Sequence, residues 1–332
     1  MRADGVVLLT GPDEPAPIGT SAATVSWRTV SGHHGGMQDG TALDLAGLLG
    51  ERVSRMSRLG GGDVAEAFQV VLASGRMVFA KTHRRPPPGF FTTEAAGLAW
   101  LGEADALPVP AVVAVSDGAG GRAPWLVLEW ITESRGAAPD DAAFGRALAA
   151  LHGACVRHFG REDRRSTGSR GLPNERCETW AEFYATQRLI PLARLLRDAR
   201  HLGDDAARLA VGLESVATRL TELAGPAEPP ARLHGDLWAG NRLVDVDGTS
   251  WLIDPACFGG HREFDLAMMR LFGGFGVEAF AAYAEAAPLA HGWEGRIPLH
   301  HLAPLAVHAI KFGGSYPAGL ARALQALGAC VR

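Results

Sequence analysis

The stretch Leu233-His234-Gly235-Asp236-Leu237-Trp238-Ala239-Gly240-Asn241, followed by Leu252-Ile253-Asp254-Pro255, decides how this 332-residue chain folds. Its polar residues spell H-x-D-x-x-x-x-N and then, behind two strand-like runs, an aspartate. Transfer of a phosphoryl group needs a carboxylate that orients the acceptor hydroxyl and receives its proton. It also needs an amide oxygen and a second carboxylate to hold Mg²⁺ on the ATP phosphates. Asp236 fits the first requirement, Asn241 and Asp254 the second. Asn241 is one of two asparagines in the chain, and a random order of this composition would produce the four-residue pattern with a chance of about 2 × 10⁻⁴. Singly, such residues are usually turn caps and strand ends; as a set they point to phosphoryl transfer.

Upstream, Lys81 closes the second of two strand-like runs, Ala67 to Leu72 and Met77 to Ala80, parted by the turn pair Ser74-Gly75. This hairpin has a glycine-rich loop at its mouth, Gly60-Gly61-Gly62-Asp63, whose main-chain N–H groups could cover phosphates. Leu43 to Met56, before the loop, shows helical spacing. After Pro86-Pro87-Pro88-Gly89, Thr92 and Thr93 are positioned to cap a helix from Glu94 to about Glu103, with Glu94 in its first turn. A strand-end lysine and a helical glutamate are the pair in which the lysine contacts the phosphates and the glutamate holds it. Two more strands, Val112 to Val115 and Trp125 to Ile131, complete this half, and Glu129, Trp130 and Ile131 would offer main-chain groups to adenine. Long helical periodicities begin at Asp141, and helices resume at Phe264 after the motif-bearing island. The expected organisation is α+β and two-lobed. Residues 1–41 form a mobile extension, 42–131 a small nucleotide-binding lobe made of an antiparallel sheet and one helix, and 132–332 a larger, mainly helical lobe for catalysis and acceptor binding.

Composition narrows the partners. With 47% apolar and 20% charged residues and a mean hydropathy of +0.04, the chain sits at the globular average. A net charge of −4 disfavours a nucleic-acid partner that would depend on counterion release. No run of 18 apolar residues marks a membrane span, and the four apolar residues in a row near the N-terminus fall short of a secretory core. Cys155, Cys177, Cys257 and Cys330 are scattered and read as reduced thiols, so the expected compartment is the cytoplasm. All but two of the 32 basic residues are arginine, so Lys81 and Lys311 stand out.

Leu233 to Asn241, Ile253-Asp254-Pro255-Ala256 and Gly260-His261-Arg262-Glu263-Phe264-Asp265-Leu266-Ala267-Met268 closely resemble the fructosamine kinase family, small-molecule kinases of the aminoglycoside/choline kinase type. Val78 to Lys81, Phe91 to Leu98, Trp180-x-x-Phe183-Tyr184, Leu271 to Phe275 and His308 with Phe312-Gly313-Gly314-x-Tyr316 extend the resemblance over about 43–318. It implies a protein-kinase-like fold and an ATP- and Mg²⁺-dependent kinase acting on a sugar hydroxyl, O3, of a ketosamine such as fructoselysine or ribuloselysine. The acceptor would be a small molecule or a glycated lysine, and the phosphorylated adduct would break down and free the amine. It further implies that His261 and Glu263 lie near the acceptor, that Asp265 braces the catalytic loop, and that His234 and Trp238 support the acceptor site.

The segment between Gly160 and Trp180 follows the family only loosely, and its arginines, Arg161, Arg164, Arg165, Arg170 and Arg176, suit either an anionic acceptor or a solvated surface. Only ten residues part Asp254 from Asp265, too few for a protein-kinase activation loop. Two other readings stay open: a related kinase for an aminoglycoside or choline-like alcohol, and a nucleotide-binding scaffold without turnover.

Overall fold

The computed structural model describes residues 39–60, 65–118, 122–134, 136, 138–165 and 171–329. The expected extension up to residue 38 and the Gly61, Gly62 and Asp63 part of the glycine loop lie outside the described residues.

Five strands, β1 (Val53–Arg58), β2 (Glu66–Leu72), β3 (Met77–Thr82), β4 (Val112–Ser116) and β5 (Trp125–Glu129), form an antiparallel sheet in the order β1-β2-β3-β5-β4. Strand alternation sends successive side chains to opposite faces. Phe68, Val70, Leu72, Val78, Ala80, Trp125 and Val127 pack on one face with Leu45 of helix α1 (Asp39–Leu49). Phe79, Leu126 and Leu128 pack on the other with Phe91, Ala95 and Leu98 of helix α2 (Phe90–Gly102). Lys81, two residues beyond Phe79 on β3, is thereby directed to the α2 face. On α2, Glu94 follows Phe91 by three positions and precedes Leu98 by four, so it faces the sheet.

Three expectations are corrected here. The helix expected over Leu43 to Met56 stops at Leu49, where Gly50 turns at φ 68°, and Val53–Arg58 is instead the edge strand β1. The sheet therefore carries two helices rather than one. Helix α2 begins at Phe90, not Glu94, because Gly89 at φ 72° starts it, while the Thr92 hydroxyl donates across to Asp117 Oδ2 at 2.8 Å. Glu94 thus sits in the second turn.

Downstream come α3 (Asp141–Gly153), α4 (Trp180–Tyr184), α5 (Ile190–Asp198), α6 (Asp204–Ala217) and α7 (Leu220–Leu223), with a π-helical turn, Ala185–Leu189, between α4 and α5. Two small ladders follow. Strand β6 (Ala231–Leu233) pairs with β9 (Phe258–Gly260), and β7 (Arg242–Val244) pairs with β8 (Ser250–Leu252). Helices α8 (Glu263–Phe272), α9 (Val277–Ala286), α10 (Trp293–Phe312) and α11 (Tyr316–Ala326) complete the larger lobe. Its main core joins Phe183, Leu192, Leu209, Leu213, Leu299, Leu302 and Leu320. Within it the Tyr184 hydroxyl enters the backbone ladder of α10, donating to Leu299 O at 2.9 Å and accepting from Ala303 N at 3.2 Å. No described helix is long and apolar enough to cross a membrane. Cys155, Cys177 and Cys257 are free thiols.

Candidate active site

The island between β6 and β9 is held by one buried carboxylate. Asp265, at the start of α8, accepts from His234 N at 2.7 Å and from Gly235 N at 2.9 Å, so both oxygens fix the turn before Asp236. The second row of support is His152 on α3, whose Nδ1 lies 2.8 Å from the Tyr283 hydroxyl and whose Nε2 lies 3.4 Å from Asp265 Oδ2. Gly235 turns at φ 79°, and a Cβ there would stand 2.2 Å from Ala256 O, so the position admits only glycine. His234 donates from Nε2 to Ile253 O at 2.9 Å and accepts from Asp236 N on Nδ1 at 3.3 Å, a pattern that assigns the neutral tautomer. Burial pushes its pKa below the usual value, in keeping with that form. His234 therefore ties the Asp236 turn to the strand end that presents Asp254.

Asp236 is half-buried, and its side-chain Oδ2 and main-chain carbonyl both accept from Asn241 Nδ2, at 3.3 and 2.8 Å. Burial and the negative charge of Asp254 push its carboxyl up to about 7. Since the Asn241 amide nitrogen is spent on Asp236, its Oδ1 is the atom that could face a cation. Asp254 holds a left-handed φ of 52° and keeps 48% of its side chain exposed. Lys81 lies between two carboxylates, with Nζ 2.7 Å from Asp254 Oδ1 and 2.6 Å from Glu94 Oε1. The Glu94 contact is a close ion pair not aligned as a hydrogen bond. Burial opposes the charge on Lys81, but Asp254 and Glu94 outweigh it and hold the ammonium protonated. Burial likewise raises Glu94, to about 7. Burial would also raise Asp254, but the Lys81 ammonium prevails and holds it below the ordinary carboxylate range.

A narrow cleft opens beside Asp254, lined by Phe79, Pro110, Leu128, Glu129, Trp130, Ile131, Leu243 and Ile253. It brings Glu129, Trp130 and Ile131 onto the same cavity as Asp254, among mostly apolar neighbours. Gly60 stands between β1 and β2. Sequence reasoning missed the walls supplied by Phe79, Pro110 and Leu243, which read as ordinary core residues. It also missed the His152–Tyr283 support, for which the sequence carries no local signal.

Two residues after Asp236, the Trp238 ring meets Phe272 edge to face at 6.1 Å, and Phe272 leads to His308 at 5.2 Å and on to Tyr316 at 4.9 Å. His261 and Glu263 do not join this surface. They are 2% and 1% exposed inside the helical lobe and offer nothing to an acceptor. Glu263 is engaged by both Arg296 Nε, at 2.8 Å, and Arg296 Nη2, with His300 Nε2 3.3 Å away. Burial opposes its ionisation, yet His300 and Arg296 hold the carboxyl down at about 2. His261, Glu263 and His300 are metal-ligand types grouped together, but a carboxylate already saturated by a guanidinium makes the group a buried ion-pair network. The described arginines of the loosely matching segment are also paired locally: Arg161 and Arg165 with Asp163, Arg164 with Glu175, and Arg176 with Glu162. That answers their charge without an anionic acceptor.

Comparison with known proteins bears on the same site. The family model for fructosamine kinase matches residues 41–329. A Lactiplantibacillus plantarum protein named "probable ketoamine kinase" is 32% identical over 276 residues, 82% of this chain and 94% of its own length. A chloroplastic protein-ribulosamine 3-kinase of Oryza sativa subsp. indica is 32% identical over 274 residues, 80% of this chain and 76% of its own. A solved structure of a fructosamine-3-kinase candidate from Thermobifida fusca YX-ER1 superposes with a TM-score of 0.76 at 38% identity, covering 87% of this chain and 99% of that one. The match runs through both lobes and through every residue that lines the cleft, so the chain belongs to the fructosamine kinase family.

Proposed function

We propose that the protein transfers the γ-phosphate of ATP to a sugar hydroxyl, O3, of ketosamines such as fructoselysine or ribuloselysine, and that Asp236 is the residue that takes the hydroxyl proton. The observation that carries this reading is the joining of Lys81, Glu94 and Asp254 through contacts of 2.6 and 2.7 Å, at a cleft that Asp254 lines and to whose strand end His234 ties the Asp236 turn. Lys81 places the α/β-phosphates, and Glu94 fixes the direction of its ammonium. Glu129, Trp130 and Ile131 present main-chain groups to adenine, and the loop from Gly60 through Gly61, Gly62 and Asp63 covers the phosphates.

Asn241 Oδ1 and the exposed carboxylate of Asp254 are both oxygen donors, the set that Mg²⁺ prefers. Mg²⁺ held there would neutralise charge developing on the phosphates. Asp236, with a pKa near neutrality, can orient the acceptor hydroxyl and receive its proton. Asp265 and His234 keep that carboxylate in place, and Trp238 forms the acceptor wall.

The test is a phosphorylation assay over fructoselysine, ribuloselysine and an aminoglycoside panel, with ³¹P detection. A phosphoester on the ketosamine O3 is expected. Turnover confined to aminoglycosides, or ATP binding without turnover on any acceptor, would overturn the assignment.

A further inference from the structure

Helix α2 belongs to two cores at once. Phe91, Ala95 and Leu98 pack with the sheet, whereas Leu101 joins Leu107 in a cluster with Leu148, Leu237, Leu252 and Leu266 of the helical lobe. The crossing point is Trp100. The Arg232 guanidinium stands 4.7 Å from its ring centroid and that of Arg161 5.8 Å, both within cation–π range. Arg232 Nη1 also donates to the Trp100 carbonyl and lies 3.4 Å from Glu103 Oε2. One turn earlier, Cys257 Sγ donates to Gly97 O at 3.4 Å, and a Cβ on Gly97 would come within 3.3 Å of that sulfur.

Arg232 is 8% exposed and its Nε has no hydrogen-bond partner. Burying a guanidinium with a donor unmet costs free energy, and an apolar residue would fill the space at lower cost. Its position explains the choice. Arg232 lies on β6, two residues before His234, so it connects the helix that carries Glu94 to the strand that runs into the Asp236 turn.

We infer that Arg232 is a positioning residue for phosphoryl transfer: with Trp100 it latches α2 to β6, so that the Glu94–Lys81–Asp254 contact stands assembled before nucleotide arrives. This rests on the kinase reading given above. Under it, α2 is a fixed strut between the lobes and does not swing to switch the enzyme on.

The test compares Trp100→Leu and Arg232→Leu with the milder Trp100→Phe and Arg232→Lys. The leucine variants should raise KM for ATP about tenfold while KM for the ketosamine stays within about twofold, since misplaced phosphates are the defect. Trp100→Phe, which keeps a ring under the cation, should restore KM for ATP to within about threefold. A protein merely less stable would lose active fraction without this split. In a Glu94→Gln background, Trp100→Leu should add less than about twofold, because both changes act through Lys81. Unchanged KM for ATP in the leucine variants, or full additivity with Glu94→Gln, would overturn the inference. Should a leucine variant fail to fold, Arg232→Lys, which loses the planar fork, must still show the ATP-specific rise. Hydrogen exchange of the 95–102 amides without nucleotide gives an arm independent of activity. Faster exchange in Trp100→Leu supports the latch, and equal exchange refutes it even where the wild type proves inactive on ketosamines and the kinase reading itself has failed.

Discussion

Replacing Asp236 with asparagine should cripple turnover and at the same time make the folded protein harder to unfold at alkaline pH. In the unfolded chain an aspartate ionises near 3.8, whereas in the fold Asp236 keeps its proton up to about 7. A raised carboxyl pKa means that the native state binds the proton more tightly. Stability therefore falls as pH climbs from the unfolded value to the folded one and is level beyond it. At full strength the displacement corresponds to about 4 kcal/mol. Water entering the cleft reaches this half-buried carboxyl, and that screening brings the expected effect to about 1–2 kcal/mol. Asparagine cannot ionise, escapes the penalty, and still offers an oxygen to Asn241. At about 2 °C per kcal/mol for a chain of this length, Asp236→Asn should melt about 2–4 °C above wild type at pH 8 and about a third of that at pH 5. Its kcat should fall by about 10²- to 10⁴-fold, the scale of a positioned base. Thermal melts at the two pH values, paired with steady-state rates, check both halves. A gap equal at pH 5 and pH 8, or a variant keeping more than about a third of wild-type turnover, would refute the reasoning.

Asn241→Ala and Asp254→Ala should each raise the Mg²⁺ concentration needed for half-maximal rate, read from a metal titration; unchanged curves in both would remove them from metal binding. Lys81→Arg should lower kcat/KM by about 10²-fold with stability held within about 1 kcal/mol, since a forked guanidinium cannot occupy the point between Glu94 and Asp254 that an ammonium fills. Near-normal kinetics for that variant would falsify the phosphate-contact role. Glu263→Gln should cost about 3 kcal/mol at pH 7 in urea unfolding, because Arg296 loses its buried partner. The Glu263 carboxyl is held at about 2 against an ordinary 4.5, so its contribution is present above 4.5 and fades as pH falls toward 2. The variant's deficit should accordingly narrow at pH 3. Leu45→Ala should cost about 2–5 kcal/mol, because that side chain is fully buried under the sheet, and a smaller loss would show that α1 is dispensable.

The motif around Asp236 was legible because its spacing is set by turns that few residues can make, Gly235 above all, and because the chemistry demands those side chains together. Lys81 was legible for a different reason: strand alternation carries it to the same face as Phe79, and lysine is scarce in this chain. Strand β1 escaped notice because an edge strand with a solvated face shows no clean alternation, and its Val53 and Met56 continue the spacing of the helix before it. The start of α2 was misplaced because threonines that resemble caps use a hydroxyl on Asp117, a partner 25 residues away that no local pattern reveals. His261 and Glu263, which the family resemblance places near the acceptor, carry no local signal of burial in the sequence. Only the fold brings Arg296 and His300 from α10 to meet them.

The phenol of Tyr184 acts as a piece of main chain. It meets Leu299 O and Ala303 N, and Pro304, lacking an N–H, leaves the neighbouring carbonyl of His300 without its own helical partner, which the same hydroxyl approaches at 3.4 Å. Two turns further along the same helix stand His308 and Lys311, so the path of that last stretch depends on a hydroxyl contributed from well over a hundred residues earlier. The consequence is one of modularity. A chimera that moves α10 of this chain into a relative carries a helix whose hydrogen-bond ladder is incomplete unless α4 travels with it, so the two segments, distant in sequence, form a single exchangeable part.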